Sequence, residues 1–359
     1  MTPTVTSTPT STPTVVDRPV RARIARAGRR VIVAAGVAWL VFAGLNVVLS
    51  GRWWLWLVPG LLPPLVFAVV PALVTAGTAL LRLGRRPLVI ALAGLAVGGA
   101  QAGFNPAALL PPSGDVAGTH FKVVAWNTEV WDEWDDPAGF LAFLRAQDAD
   151  VYLLQEYAEN GLHPADFPGY SAIERGELLT LTRLPVRRVV ALPAEPAPGS
   201  SWRQVYEQVK SLRVDVTAGG ETLSVYNVHM PIQLDLVSPL SADFYRQLRL
   251  RDAARHRQYT SLENDVRDNR NPVLVAGDFN TSPVMGDLRW LADSLHDAAS
   301  GSRSLYPASW RSYWPVQLWR LDWAFTSDAV TVQRYEFVDP RRMSDHSLQR
   351  IELTVRRAP

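Results

Sequence analysis

Apolar and polar positions divide this chain into two unlike parts. Residues 31–50, 53–81 and 87–104 are three apolar runs in close succession, each without a charged residue. Runs of this length can cross a hydrocarbon core, and none leaves a polar face for solvent. They predict three transmembrane helices at about 31–50, 55–81 and 87–104. The second run holds Pro59, Pro63, Pro64 and Pro71, which kink or break a helix, so it either crosses or dips and returns. From residue 119 the pattern changes to short apolar runs separated by polar turns. Strands are expected at 121–126, 151–154, 178–182, 212–216, 223–228, 273–276, 321–326 and 350–355. Helices are expected at 137–147 and over 241–268, where Phe244, Leu248, Leu262 and Val266 form an apolar stripe. Many strands with few helices give an α/β (α+β) domain of sheets packed face to face with helices outside.

Charge follows the same division. Residues 1–114 contain ten arginines, no lysine and a single acid, Asp17, and so carry +9; the remainder has 26 basic and 33 acidic residues and carries −7. Six of the arginines lie between Arg18 and Arg30 and three more are Arg82, Arg85 and Arg86. The positive-inside rule therefore puts the N-terminus and the 82–86 loop in the cytoplasm. With three spans the remainder is extracytoplasmic; a second run that only dips would leave it in the cytoplasm. The first run lacks a small-residue cleavage site, so it reads as an anchor rather than a removed signal. Residues 1–30 read as a disordered, Arg-rich tail, 105–118 as a Pro/Gly/Ala linker, and 119–357 as the functional domain. An acidic domain is a poor non-specific ligand for nucleic acid. The absence of cysteine excludes disulfides, thiolate metal sites and thiol nucleophiles.

The candidate chemistry sits where the strands end. The 123–126 run stops at Asn127 and Thr128, the 151–154 run at Gln155 and Glu156, and the 223–228 run at His229. The 273–276 run stops at Asp278 and Asn280, Asp322 lies at the entry of the next strand, and Ser344, Asp345 and His346 precede the last. Each alone has an ordinary reading as a cap, turn or core residue. Brought to one end of a sandwich, two Asn, four carboxylates and two His supply a hard-cation site and an acid/base pair.

In order, AWNT, LLQE, LTRLP, YNVHM, AGDFN, RLDWAF and SDHS make residues 119–357 resemble the endonuclease/exonuclease/phosphatase family of metal-dependent phosphohydrolases. The resemblance implies a four-layer α/β/β/α sandwich of two mixed sheets with the site at one end. It also implies roles. Glu156 would bind Mg2+ (or Mn2+), with Asn127 and Asp345 beside it. Asp278 would deprotonate the attacking water. His229 and Asn280 would donate to the phosphate, and Asp322 would orient and charge His346. Thr182 stands where the family usually has Ser, and the Trp-rich stretch 310–323 falls where the family places a substrate-facing loop. Trp310, Tyr313, Trp314 and Trp319 there could stack on a base, meet lipid or pack.

The sequence thus predicts a membrane-anchored, Mg2+-dependent phosphohydrolase acting on a phosphodiester. A phospholipid head group and a nucleic acid or nucleotide are the competing substrates. An inactive, membrane-tethered binding module is the alternative of another class. No protein partner is indicated.

Overall fold

The computed structural model describes residues 18–111, 116–129, 136–157, 166–193, 201–233, 241–311 and 316–356. The expectations for residues 1–17, for 112–115 of the linker and for Tyr313 and Trp314 lie outside the described residues. Twelve strands are present in these: β1 (Thr119–Asn127), β2 (Val151–Gln155), β3 (Ser171–Arg175), β4 (Leu178–Thr182), β5 (Val186–Leu192), β6 (Ser211–Ala218), β7 (Glu221–His229), β8 (Val273–Asp278), β9 (His296–Asp297), β10 (Asp322–Thr326), β11 (Val330–Val338) and β12 (Leu348–Val355). They form two six-stranded sheets, ordered β11-β12-β1-β2-β4-β3 and β5-β6-β7-β8-β10-β9.

Each sheet is antiparallel except for one central parallel pair, β1 with β2 and β7 with β8. A parallel pair needs a crossover, and helices supply both: α5 (Pro137–Arg145) joins β1 to β2, and α7 (Ala242–Asp268), which follows the short α6 (Trp202–Gln208) in the chain, joins β7 to β8. Asp136 caps α5 by accepting from Gly139 N, and Ser241 caps α7 by accepting from Phe244 N. Side chains alternate between faces of a strand, and the packing follows that alternation. Val123, Ala125, Leu153, Val225 and Ala276 fill the space between the sheets. Val124, Trp126 and Leu154 turn the other way onto Phe140, Phe143 and Leu144 of α5. Tyr226, Val228 and Val275 pack on Tyr259, Leu262 and Val266 of α7. The result is the expected α/β/β/α sandwich of two mixed sheets.

The N-terminal region departs from expectation in three ways. Helix α1 runs from Arg18 to Leu49, so residues 18–30 are helical rather than part of a disordered tail; the Arg/Ala composition there propagates the apolar helix that follows. The run expected as one helix over 55–81 is broken into a 3-10 turn at Trp54–Trp56, the short α2 (Leu57–Gly60) and α3 (Val66–Leu80). Pro63 and Pro64 account for the break, because proline cannot donate to the preceding turn and displaces its neighbour from helical geometry. The third run forms α4 (Arg85–Gly99). At 15 residues each, α3 and α4 are about 22 Å long, short of a core of about 30 Å. Among the described residues only Arg26–Leu49 is long and apolar enough to cross a membrane. Three independent spans are therefore replaced by one long helix with a shorter antiparallel hairpin packed along it. Gly36 lies against Val74 and Ile90, and Gly77 against Ile32, which brings the 82–86 arginines to the same end as those at 26–30.

Candidate active site

Strand register assembles the site. Asn127 pairs with Gln155 at the exits of β1 and β2, and His229 pairs with Asp278 at the exits of β7 and β8. Strand β10 enters antiparallel with Asp322 opposite Asp278. Face-to-face packing then brings both sets of strand ends to one rim. Gly277 makes this possible: it has φ 143, and a Cβ there would lie 2.1 Å from Val228 O. Gln155 and Asn227 do not face the rim. The Gln155 Nε2 donates to Asn227 Oδ1 at 2.6 Å, and Asn227 donates to the carbonyls of Leu154 and Leu179, fastening one sheet to the other beneath the site.

Asp278 is the centre. It is 1 % exposed, and its Oδ2 lies 3.7 Å from His229 Nε2 and 3.7 Å from His346 Nε2. Behind each ring stands another carboxylate. Asp322 Oδ2 is 2.8 Å from His346 Nδ1, and Glu177 Oε2 is 3.1 Å from His229 Nδ1. Lys210 Nζ donates to the other oxygen of Glu177. Ser309 Oγ fixes Asp322 by accepting from its backbone N–H at 3.1 Å. The far oxygen of Asp278, Oδ1, accepts from Asn280 N at 2.7 Å, while Oδ2 itself also accepts from the Asn280 and Asn127 side-chain amides at 3.3 and 3.0 Å. Asn280 and Glu156 have φ 46 and 50, a left-handed conformation that costs a non-glycine residue energy and clusters at functional sites.

Burial by itself would lower both imidazoles. For His229 the Glu177, Asp278 and Glu156 carboxylates outweigh it and hold the pKa up at about 9; Asp322 and Asp278 raise His346 well above its ordinary value. Burial pushes the Asp278 carboxyl up, and the His346 charge opposes it. Glu177 is deeply buried, yet His229 and Lys210 hold it below the usual range. The site is thus an array of imidazolium–carboxylate pairs at neutral pH. A raised histidine pKa stabilises the fold fully below the unfolded value of about 6.5, and that stabilisation is lost as pH rises through the folded value. His229 alone contributes on the order of 3 kcal/mol by this linkage. Unfolding free energy measured in urea is therefore expected to fall between pH 6.5 and 9.5 in the wild type, and to fall by less in His229→Asn.

Three carboxylates, Glu129, Glu156 and Asp345, form the outer rim. Asn127 Nδ2 donates to Glu156 Oε1 at 3.0 Å as well as to Asp278. Asp345 accepts from Trp310 Nε1 at 2.7 Å, and its backbone N–H donates to Glu129 at 2.8 Å. Trp310 is therefore a ligand of the rim rather than packing alone. Burial first, then Asp345 and Glu156, raise Glu129; burial raises Asp345, and Glu156 and Asp278 add to it. Mutually repelling oxygen donors at a half-buried rim fit a hard divalent cation. Deeper in, Asp278, Asp322 and His346 offer donor atoms within 4.8 Å of one another. His346 Nδ1 is already engaged by Asp322, and a hard cation prefers carboxylate oxygens to an imidazole nitrogen, so the rim is the better fit.

The Endonuclease/Exonuclease/phosphatase family profile matches residues 125–346, a segment that contains every one of these residues. The chain belongs to that family. Among solved structures it is similar to an endonuclease/exonuclease/phosphatase from Bacteroides vulgatus, with 15 % identity, TM-score 0.51, and coverage of 66 % of this chain and 100 % of that one. It is also similar to one from Beutenbergia cavernae (21 %, 0.48, 67 % and 73 %). A third is a Neisseria 3′ phosphatase, NExo, solved with a product DNA hairpin (16 %, 0.49, 64 % and 98 %). No curated protein matches. Endonuclease/exonuclease/phosphatase members are phosphoester hydrolases, and metal dependence is typical of them.

All eight residues singled out from the sequence, Asn127, Glu156, His229, Asp278, Asn280, Asp322, Asp345 and His346, meet at this rim. Two were missed. Glu177 lies in the Gly176–Glu177 turn between β3 and β4, where the sequence shows only a turn; its partners Lys210 and His229 come from the other sheet. Glu129, two residues past Asn127, could have been found as a fifth carboxylate at a strand end.

Proposed function

We propose that the chain is a divalent-metal-dependent hydrolase of phosphodiesters, tethered to a membrane by α1. The observation that supports it most is the pair of carboxylate-backed histidines, each 3.7 Å from one buried carboxylate oxygen. Glu156 and Asp345, with Asn127 and Glu129 beside them, would hold Mg2+ or Mn2+, which when bound polarises a phosphate oxygen. Asp278 Oδ2 takes the proton of an attacking water as the water oxygen bonds to phosphorus and the P–O bond to the leaving group breaks, the leaving oxygen taking a proton from solvent. Both imidazoliums present Nε2–H beside that oxygen, where they donate to phosphate oxygens as charge grows in the transition state. Asp322 and Glu177 keep the rings oriented and charged. Asn280 positions Asp278 through its backbone N–H, and its longer 3.3 Å side-chain contact is the one a phosphate oxygen would replace.

The arginines at 26–30 and 82–86 share one end of the helical region, and the catalytic domain is at the other. The positive-inside rule assigns the arginine end to the cytoplasm and the catalytic domain to the outside.

The test is hydrolysis by the full chain of an aryl phosphodiester, an aryl phosphomonoester, plasmid DNA and phosphatidylcholine or sphingomyelin vesicles, with Mg2+ and with EDTA. The diester is expected to turn over, the monoester at least tenfold more slowly, and DNA poorly because residues 115–359 carry −7. No hydrolysis of any of them by folded protein would favour an inactive binding module.

A further inference from the structure

We infer that the catalytic end of the sandwich is the face held against the bilayer, so that the cleft opens onto the membrane–water interface and takes phosphate esters carried in that plane. The orientation rests on reading α1 as a membrane span, and the substrate class on the phosphohydrolase reading above.

A domain joined to an anchor by a Pro/Gly linker would ordinarily be free to sit away from the membrane. Here the helical region is docked on the loop that follows β8, a few residues past Asn280. Asn46, buried near the end of α1, donates to Val284 O at 2.8 Å. Ser50 Oγ donates to the same carbonyl at 3.3 Å and accepts from Gly286 N at 2.9 Å. Gly51 lies so close to Gly286 that a Cβ would be 2.6 Å from its backbone carbon. Ser282 Oγ donates to Gly60 O at 3.2 Å. Phe67, Ala102 and Val284 form one buried cluster. Polar groups this buried and this well paired mark a built interface. The α1–α3 connector reaches the site itself through a chain of contacts. Trp319 Nε1 donates to Leu61 O at 3.3 Å, its ring meets Trp310 at 5.4 Å, and Trp310 holds Asp345.

The linker has a different task from that of a stalk. Asn105 is anchored to the carbonyls of Ala299 and Ser302, and Arg303 donates to Leu110 O at 3.0 Å. Strand β1 then begins at Thr119, at the end opposite Asn127. Its nine residues span about 30 Å, and a fourteen-residue linker reaches at most about 48 Å.

Exposed apolar side chains lie on both sides of this junction. Val47 and Val48 of α1 are exposed, and so are Trp53 and Leu62 of the connector. Ile232, three residues beyond His229, and Val316, three before Trp319, are 40 % and 59 % exposed. Tryptophan beside an apolar helix end suits the interfacial zone. The bilayer that receives α1 is therefore the occupant that covers this end.

The chain has no cysteine, so single nitroxide labels can be placed on the full-length protein in phosphatidylcholine vesicles as Ile232→Cys, Val316→Cys and, at the far end of the sandwich, Arg187→Cys. Labels at 232 and 316 are expected to be relaxed by oxygen several-fold more than by a water-soluble nickel chelate, and the label at 187 to show the reverse. Labels at 232 and 316 as aqueous as that at 187 would overturn the orientation, and so would shielding from both relaxants, which would mean a second protein copy on this face. Hydrolysis of a phosphodiester lipid in the enzyme's own vesicles is then expected to exceed that in separate vesicles at least tenfold. Equal rates would overturn the substrate class. A soluble aryl diester in the same assay reports the enzyme reading separately: if it too is untouched, that reading fails while the labels still decide the orientation.

Discussion

Asp278→Asn is expected to lower kcat on a phosphodiester by on the order of 10^3-fold in protein whose circular dichroism shows the wild-type fold at the assay temperature. Asparagine has nearly the volume of aspartate, so no cavity opens in a residue that is 1 % exposed. Its Oδ1 keeps the 2.7 Å bond from Asn280 N. What disappears is the proton acceptor between the two imidazoles, and loss of a general base of this kind costs 10^2–10^4. His346→Ala should cost a comparable factor, because it removes a donor aimed at the developing charge. Asp322→Asn should cost less, since the ring remains and only its orientation and charge are weakened. The double variant Asp278→Asn/His346→Ala should be far less impaired than the product of the single effects, as groups acting as one unit are not additive. Retention of more than a tenth of the wild-type kcat by Asp278→Asn would remove this residue from the chemistry.

The parts of the fold that the sequence discloses are those that burial makes unambiguous. The eight expected strands are the eight inner ones. Strands such as β2 and β4 are buried at every position and so appear as uninterrupted apolar runs. The four strands that were not anticipated, β3, β5, β9 and β11, are the four sheet edges. They face solvent on one side, and natural edges carry charge: β5 reads VRRVVAL and β3 reads SAIER. The site shows the same division. Residues that leave a buried strand at a fixed register, such as Asn127 and Asp278, are legible because the strand is. Glu177 is not, because its role depends on Lys210 and His229 arriving from the opposite sheet. In the N-terminal helical region hydropathy locates the apolar runs but says little about their continuity; Pro63 and Pro64 divide the second run, and one helix and a hairpin stand where three spans are expected. The docking of that hairpin on the loop after β8 has no signature in the sequence, since it rests on backbone carbonyls such as those of Val284, Gly60 and Leu61.

Chelation of divalent cations is expected to abolish turnover, and Mg2+ to restore it. The stronger test does not use turnover. Glu129, Glu156 and Asp345 share one rim, and repulsion from neighbouring carboxylates helps to raise Glu129 and Asp345. A cation bound there is bound by the folded chain only, so it stabilises by RT ln(1 + [L]/Kd), about 2.7 kcal/mol at one hundred times Kd. For a domain of this size that is a rise in Tm of roughly 5–10 °C. Glu156→Gln removes one charge from the rim and leaves Asp322 and His346 intact; it should move the Mg2+ midpoint of the Tm shift at least tenfold higher. The deeper trio of Asp278, Asp322 and His346 gives the opposite pattern if it holds the ion instead. In that case Glu156→Gln would keep the full Tm response and His346→Ala would lose it. A rim site requires His346→Ala to respond to Mg2+ as well as the wild type does, despite its loss of activity.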